Sequence, residues 1–542
     1  MCRNANAMVT ANYPLFAAST TDKILNALFD DTFAGIHQLT WFDWAILIPY
    51  FGTLAILSLY GLHRYKVIHE YFRVKKSLNR PAARLFEELP PVTIQLPLFN
   101  EQFVVERLIE TVLKMRYPKH LFQVQVLDDS TDETSACTAA LCARYRSAGH
   151  NIDYIHRAVR TGFKAGALEH GLDTATGDFV AVFDADFLPP VDFLERTIHY
   201  FTDDNIGVVQ TRWSHINRDS NLLTEVQAML LDAHFVLEHG ARSGNGLFFN
   251  FNGTAGILRK AMIRDAGGWQ HDTLTEDSDL SYRAQLKGWR FAYVPAVDCP
   301  SELPVETHAF QVQQQRWSKG LTQCALKLWP RIWKADLPFK VKLEAWLHLT
   351  PNISYPLMIV ISVLMLPVMI VRFYMGWVEM VFLDVPLIFA NFVSIGAFYL
   401  VAQRELYPQT WKRSIIFLPA LMAVGVMLTL SNTKSVIEAL LRQQSAFVRT
   451  PKYAVAKGQQ RNKLRRYRRR SGWLPYLELA CGTAFLAMVA YAIDTYNYLS
   501  IPFLMLFVCG YFWAGGSTLW QEWQGKLRFE REQQEALELE KA

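Results

Sequence analysis

Two kinds of hydrophobic pattern alternate along this chain. The first is the long unbroken apolar run, which appears at about Trp41 to Leu62. A run of roughly 20 residues is long enough to cross a hydrocarbon core as a helix. The second pattern fills the stretch from about Pro90 to Pro330, where short apolar runs alternate with helix-period segments. Val92–Leu96, Gln123–Leu127, Phe179–Phe183 and Gly207–Gln210 read as buried strands, each followed by polar loop chemistry and then a helical pattern. Such alternation predicts an α/β domain around a mostly parallel sheet. Ligands of such sheets sit beyond the carboxyl ends of the strands, and acidic residues fall there: Asp128 and Asp129 after one strand, Asp184 and Asp186 after another.

Beyond Pro330 the long runs return, at about Ile353–Val371, Leu387–Val401, Ile415–Leu430, Leu474–Ala492 and Ile501–Leu519. Basic residues after the first run (His63, Arg64, Lys66, Arg73, Lys75 and Lys76) mark its cytoplasmic end and place the N-terminus outside. Arg449, Lys452, Lys457, Arg461, Lys463, Arg465, Arg466 and Arg468–Arg470 form a basic stretch uninterrupted by acids. If every run before that stretch crossed, it would lie outside, against the positive-inside rule. Ile415–Leu430 is short and follows Arg404, Lys412 and Arg413. It is therefore expected to lie in the interface or to re-enter, not to span.

Composition changes this picture little. The 542 residues are 51% hydrophobic, but mean hydropathy is only +0.07, which fits a soluble-type domain joined to membrane segments. The net charge of +5 gives no argument for a nucleic-acid partner. The seven cysteines form no CxxC pair, so a zinc site is not expected and the thiols read as reduced and packed. No basic segment leads directly into an apolar one at the N-terminus, so no cleavable signal peptide is expected.

Five groups carry candidate chemistry. Asp184-Ala185-Asp186 leaves the end of an apolar strand, and two carboxylates at that spacing can face one ligand. Hard oxygen donors suit Mg2+ or Mn2+ shared with substrate phosphates; a solvated turn is the plain alternative. Asp128-Asp129-Ser130-Thr131-Asp132 can cap a helix, bind a nucleoside, or do both. Thr275-Glu276-Asp277 can start a helix with favourable charges or supply a carboxylate base. Gln313-Gln314-Gln315-Arg316-Trp317 offers a phosphate-clamping Arg and a flat ring for a sugar, or else an amphipathic helix with an interfacial Trp. Arg160 and Lys164, before Ala165-Gly166-Ala167, can meet a diphosphate or form surface ion pairs.

The order of these motifs is more specific than any one of them. Pro97-Leu98-Phe99-Asn100-Glu101, then Asp128-Asp129-Ser130, Lys164-Ala165-Gly166-Ala167, Asp184-Ala185-Asp186, Thr275-Glu276-Asp277 and Gln313 to Trp317 resemble the family 2 glycosyltransferases. More narrowly they resemble the cellulose synthase superfamily, over roughly Leu89 to Pro330. Val209 to Trp213, Asn217 to Leu223, Phe251 to Gly256, Gly267-Gly268-Trp269 and Arg283 to Trp289 are similar to the plant cellulose-synthase-like A and C groups and bacterial relatives. Those groups make β-mannan or glucomannan and a β-glucan backbone.

The resemblance implies an α/β, Rossmann-like GT-A catalytic domain in the cytosol, inserted between transmembrane helices. The expected division is an extracytoplasmic segment (1–40), a transmembrane helix (41–64), the catalytic domain (85–335) and transmembrane and interfacial helices (350–430). A cytosolic interfacial helix with a basic gating-type loop (431–472), two transmembrane helices (473–520) and a cytosolic tail (521–542) follow. The implied setting is a multi-pass protein of the bacterial inner membrane.

By matching motif, Asp128 or Asp129 contacts the nucleoside with Glu101 near the base, Lys164 approaches the donor nucleotide, and Asp184 and Asp186 hold donor and metal. Asp277 is the general base with Glu276 beside it; Gln313 and Arg316 hold the pyrophosphate, and Trp317 stacks on the acceptor sugar. Phe447-Val448-Arg449-Thr450-Pro451-Lys452 is similar to the FxVTxK gating loop of bacterial cellulose synthases, with Arg449 in place of its valine. No cyclic-di-GMP-binding domain is expected after the last span.

The implied partners are a nucleotide sugar (UDP-glucose or GDP-mannose), a growing polysaccharide and membrane lipids. The implied reaction is processive, inverting synthesis of a β-linked, β-1,4 glucan or mannan. The competing readings are transfer of one sugar to a lipid, and an inactive membrane scaffold. Accessory subunits are not legible.

Overall fold

In the computed structural model of the chain, the described residues are 39–78, 80–375, 386–443, 472–495 and 497–541. The gating-type segment, Phe447 to Lys452, and most of the N-terminal segment lie outside them. Seven strands form one sheet: β1 Val92–Leu98, β2 Phe122–Asp128, β3 Ile152–His156, β4 Phe179–Val182, β5 Ile206–His215, β6 Gly256–Arg259 and β7 Arg290–Ser301, in the order β3-β2-β1-β4-β6-β5-β7. The four expected strands are present, with somewhat longer bounds for all but β4.

The sheet is mixed α/β, as the GT-A expectation requires. All pairings are parallel except those of β6, which runs antiparallel to both β4 and β5. That reversal decides how the site is built. The carboxyl ends of β1, β2 and β4 share one edge, and β6 brings its preceding residues, Asn252 to Ala255, to that same edge. Val182 pairs with Gly256 and Phe179 with Arg259.

The sheet is buried on both faces; on one of them β1 and β2 carry buried polar side chains that hydrogen-bond to one another, Thr93 donating to Gln123 at 2.8 Å and Gln95 to Gln125 at 3.0 Å. Around the sheet and the membrane lie α1 Trp41–Leu78, α2 Val105–Leu113, α3 Thr134–Ser147, α4 Phe163–Leu172, α5 Leu222–Ala233, α6 Glu276–Leu286, α7 Thr307–Lys334, α8 Phe339–Leu349, α9 Ser354–Met375, α10 Ser394–Leu406, α11 Leu418–Met427, α12 Thr429–Leu440, α13 Leu474–Asp494 and α14 Ile501–Lys541. One core cluster joins Ile94, Leu96 and Val124 to Leu108 and Val112 of α2. A second joins Val180 and Val182 to Leu168 of α4 and Leu280 of α6.

Among the described residues, five helices are long and apolar enough to cross a membrane: Trp41–Leu78, Pro351–Phe373, Pro386–Leu406, Leu474–Asp494 and Tyr498–Leu527. The first runs well past the expected end near residue 64, because the basic residues after Leu62 continue the helix onto the α/β domain. There Lys66 and His63 pair with Glu344 of α8.

The segment expected to leave the bilayer without crossing is two helices, Trp411–Met427 and Thr429–Leu440, bent by 41°. Both ends of this segment meet the α/β domain. Just before it, Gln403 accepts from Arg218 at 2.7 Å and donates to Asp232 at 2.9 Å. Near its end, Lys319 of α7 donates to Glu438 at 2.8 Å. Between them, Leu421, Val424 and Met427 pack with Val226 and Met229 of α5 and Phe310 of α7.

Candidate active site

A cavity of about 170 Å³ opens at the sheet edge. The chain folds so that separate motifs converge on it. Glu101 arrives after β1, Asp129 after β2, Lys164 on the first turn of α4, and Asp184 and Asp186 after β4. Glu276 and Asp277 open α6, while Gln313, Arg316 and Trp317 lie on one face of α7. All of these side chains line the cavity.

Asp128 is the exception. Its carboxylate is fully buried behind the cavity, where it accepts the Ser130 N–H at 2.9 Å and the Tyr154 hydroxyl at 2.8 Å. It shapes the turn that presents Asp129 instead of lining the site with it. The capping reading of the same run holds at Asp132, whose carboxylate accepts the Thr134 N–H at 2.9 Å.

The two acidic loops sit in different electrostatic settings. Asp129 is held by both ends of the Arg157 guanidinium, at 2.8 and 2.5 Å. Arg160 lies over the Phe99 ring, 3.5 Å from its centroid, and forms a flat cationic floor beside Asp129. Asp184 accepts from the Lys164 ammonium, which also donates to the Gly253 carbonyl at 2.9 Å. The Asp184 N–H donates to the Thr254 hydroxyl at 2.9 Å, so the segment leading into β6 orients the carboxylate loop of β4. Burial disfavours the Lys164 cation, but Asp184, Glu276 and Asp277 outweigh it and raise the pKa.

At Asp277 the balance runs the other way. Burial and the adjacent Glu276 charge push its carboxyl up to about 7, against the opposing pull of Lys164 and Arg316. A carboxylate poised there is suited to accept a proton near neutral pH. Thr275 occupies the start of α6 without capping it through its side chain. Asp277 accepts the Ser278 N–H at 2.7 Å, which fixes its rotamer.

Two glycines permit this crowding. Gly253 has φ +77°, and a β-carbon there would stand 2.9 Å from Asp277 Oδ2. On α7, a β-carbon at Gly320 would stand 2.6 Å from the Thr275 methyl. The helix carrying Gln313 to Trp317 therefore rests directly on the loop carrying Glu276 and Asp277.

The cavity also contains residues not among the expected site residues. Asn252 and Gly253 reach it because β6 is reversed, a feature that alternation of strands and helices does not reveal. Trp213, from β5, lines it with a buried indole N–H that has no partner.

A second cavity, of about 780 Å³, lies among the membrane-type helices. Tyr50 and Tyr60 of α1, Tyr355 of α9, Tyr399 of α10 and Phe507 of α14 are on its walls. Leu231, Gln313 and Trp317 line both cavities. The charged chamber and the apolar one thus meet at the Trp317 ring.

Residues 90–320 match the model of the glycosyltransferase-like family 2. The chain is 44% identical to glucomannan 4-beta-mannosyltransferase 9 of Arabidopsis thaliana over 236 residues, covering 43% of this chain and 44% of that protein. It is 45% identical to glucomannan 4-beta-mannosyltransferase 1 of Oryza sativa subsp. japonica over 236 residues, covering 43% of this chain and 45% of that protein. The chain thus matches less than half the length of these curated relatives. Among solved structures, mannosyltransferase PcManGT of Pyrobaculum calidifontis, in complex with GDP-Man and Mn2+, aligns with a TM-score of 0.49 at 19% identity. That alignment covers 72% of this chain and 100% of the other; a likeness this loose bears on neither substrate nor mechanism. The family match falls on the segment that holds the whole sheet and every carboxylate lining the smaller cavity.

Proposed function

We propose that this chain is a processive, inverting hexosyltransferase that extends a β-1,4-linked, mannose-containing glycan from a nucleotide sugar and passes the product between its membrane helices. The observation that carries the reading is the meeting of the two cavities at Trp317. Transfer of one sugar to a lipid also needs an apolar space, for the hydrocarbon chain, but not a ring for a sugar to stack on at its mouth. A chamber opening, past an aromatic ring, onto a 780 Å³ aromatic-walled space fits a chain that is lengthened and moved on. The curated relatives, which are 4-β-mannosyltransferases by name, favour mannose over glucose.

In this reading Asp277 removes the proton of the acceptor hydroxyl, and that oxygen attacks the anomeric carbon from the face opposite the diphosphate. The new C–O bond forms as the bond to the phosphate oxygen breaks, so an α-linked donor gives a β-linkage and a nucleoside diphosphate leaves. Arg316 and Gln313 face the departing diphosphate, and charge placed where charge develops stabilises the transition state. Lys164 neutralises Asp184 and lowers the cost of bringing an anionic donor among carboxylates. Trp317 stacks on the acceptor's terminal sugar. Glu101 and Asp129, with Arg160 flat against Phe99, frame the nucleoside end, and Asp128 fixes the turn beneath them.

Mg2+ or Mn2+ fits Asp184 and Asp186, two hard carboxylates facing one cavity. Among the described residues no group of three His, Cys, Asp or Glu side chains could hold an ion alone, so donor phosphates would complete its shell. Bound there, the ion would supply charge neutralisation to the diphosphate.

Both ends of the bent segment 411–440 contact the α/β domain, which supports an interfacial or re-entrant path and five crossings. The domain and the basic segment after residue 443 would then belong to the same, cytosolic side of the membrane, as a gating-type role for Phe447 to Lys452 requires.

A panel of nucleotide sugars offered to the purified protein in lipid, followed by linkage and size analysis of the product, tests the proposal. GDP-mannose is expected to give a β-1,4-linked polymer and UDP-glucose little or none. A product bearing a single sugar on lipid would overturn the processive reading.

A further inference from the structure

Helix α5 does not end at Ala233 but widens into one π-helical turn, His234–His239. Such turns often mark functional sites. This one places two imidazoles against the carboxamide of Asn252, which lines the smaller cavity.

The hydrogen bonds fix every proton in the group. His239 Nε2 lies 3.2 Å from the Asn250 carbonyl oxygen and 2.6 Å from Asn252 Oδ1. A carbonyl only accepts, so His239 Nε2 carries the hydrogen and the atom of Asn252 facing it is the oxygen. Burial pushes His239 well below the usual histidine range, which keeps the ring neutral. The Asn252 nitrogen then donates to His234 Nε2 at 3.1 Å, and His234 Nδ1 donates to Glu238 at 2.7 Å. The Asn252 backbone N–H is also taken, by Gln210 Oε1 at 2.9 Å. The carboxamide cannot flip without breaking several of these contacts. It retains one amide hydrogen and one oxygen lone pair for a ligand.

Position selects the ligand. Asn252 precedes Gly253, where an added β-carbon would stand 2.9 Å from Asp277 Oδ2. Leu231, three residues before His234, lines both cavities. Asn252 therefore adjoins the glycine that faces the proposed base, and its amide is tied to the turn that continues the helix carrying Leu231, where the two cavities meet.

We propose that Asn252 is an acceptor-binding residue that hydrogen-bonds a hydroxyl of the terminal sugar beside the attacking oxygen, and that His239 and His234 are positioning residues that lock its amide. A fixed donor and acceptor side by side match adjacent hydroxyls of a pyranose. This inference rests on the reading of Asp277 as the base.

The test measures three quantities on the purified full chain: GDP-mannose binding by calorimetry, slow hydrolysis of GDP-mannose to water, and transfer to a β-1,4-mannooligosaccharide. Asn252→Ala is expected to lower kcat/KM for the oligosaccharide by about tenfold to a hundredfold, the loss of one or two ligand hydrogen bonds. Donor binding and hydrolysis should be unchanged. His239→Phe, which keeps the ring and removes the N–H, should reproduce the transfer defect, and His239→Gln, which restores an N–H donor, should recover most of it. Wild-type transfer by Asn252→Ala, or equal losses in all three measurements, overturns the inference. Absence of nucleotide-sugar binding in the wild-type protein would instead sink the glycosyltransfer reading itself.

Discussion

The two cavities share three lining residues and little else. The smaller one gathers carboxylates and cations at a sheet edge and sets them against one another. Lys164 compensates Asp184, while Glu276 and burial push Asp277 the other way. The larger one has aromatic and aliphatic walls, drawn mostly from the membrane-type helices. Charge at close range suits chemistry on a phosphate ester, and aromatic faces suit a neutral glycan that must be held and yet slide. The difference teaches that chemistry and transport are separate problems, joined at one ring on α7.

Removing the proton acceptor from the charged chamber should have the largest effect. Asp277→Asn is expected to lower transfer by about a thousandfold, within the range for loss of a positioned base. Donor binding, measured by calorimetry, should persist. Next comes the packing that aligns the two chambers. Gly320→Ala adds a methyl where the Thr275 methyl and amide already stand, at 2.6 and 2.8 Å. Alanine favours helix by about 1 kcal/mol over glycine, so loss of helix cannot explain a defect. Displacing α7 from the Thr275 loop should cost about a hundredfold in kcat while the cavity among the membrane helices stays intact.

Trp317→Ala acts at the junction. Donor turnover should fall by about tenfold or less, the scale of one aromatic contact, and product chains should shorten markedly on a sizing gel. Full-length product from that variant would break the link between the chambers.

The smallest effect is on pH dependence. The base works only when ionised, so kcat/KM should fall as pH drops through about 7, where burial and Glu276 hold the Asp277 carboxyl. Glu276→Gln removes the neighbouring charge and should move that acid limb to lower pH.

Much of the charged chamber was legible, because Glu101, Asp129, Asp184 and Asp186 follow strands whose apolar runs are easy to read. Asp184 and Asp186 after Phe179–Phe183 are the plainest case. Asp128 looked equivalent to Asp129, yet its side chain turns inward to Tyr154. Adjacent residues point to opposite sides, and spacing alone does not say which side faces the ligand. The reversed β6 was not legible either. It has four residues, and nothing in Gly256–Arg259 distinguishes a parallel from an antiparallel neighbour; with it went Asn252 and Gly253. Strand β3 was hidden for a similar reason, since Ile152–His156 has a single fully buried residue. Basic residues on both sides of the short apolar run Ile415–Leu430 give the expectation of an interfacial or re-entrant path; they do not reveal the 41° bend between 411–427 and 429–440. Gln403, just before this segment, bonds Asp232, and Glu438, near its end, bonds Lys319, so the chain is tied to the domain on either side of the bend.

The most direct test of the joined chambers is a cryo-electron microscopy map of the protein after incubation with GDP-mannose and Mn2+. The account predicts a string of sugar density that begins beside Asp277, stacks on Trp317 and continues among Tyr60, Tyr355 and Tyr399. Glycan leaving the small cavity by another route, or sugar confined to a single unit on a lipid, would contradict it.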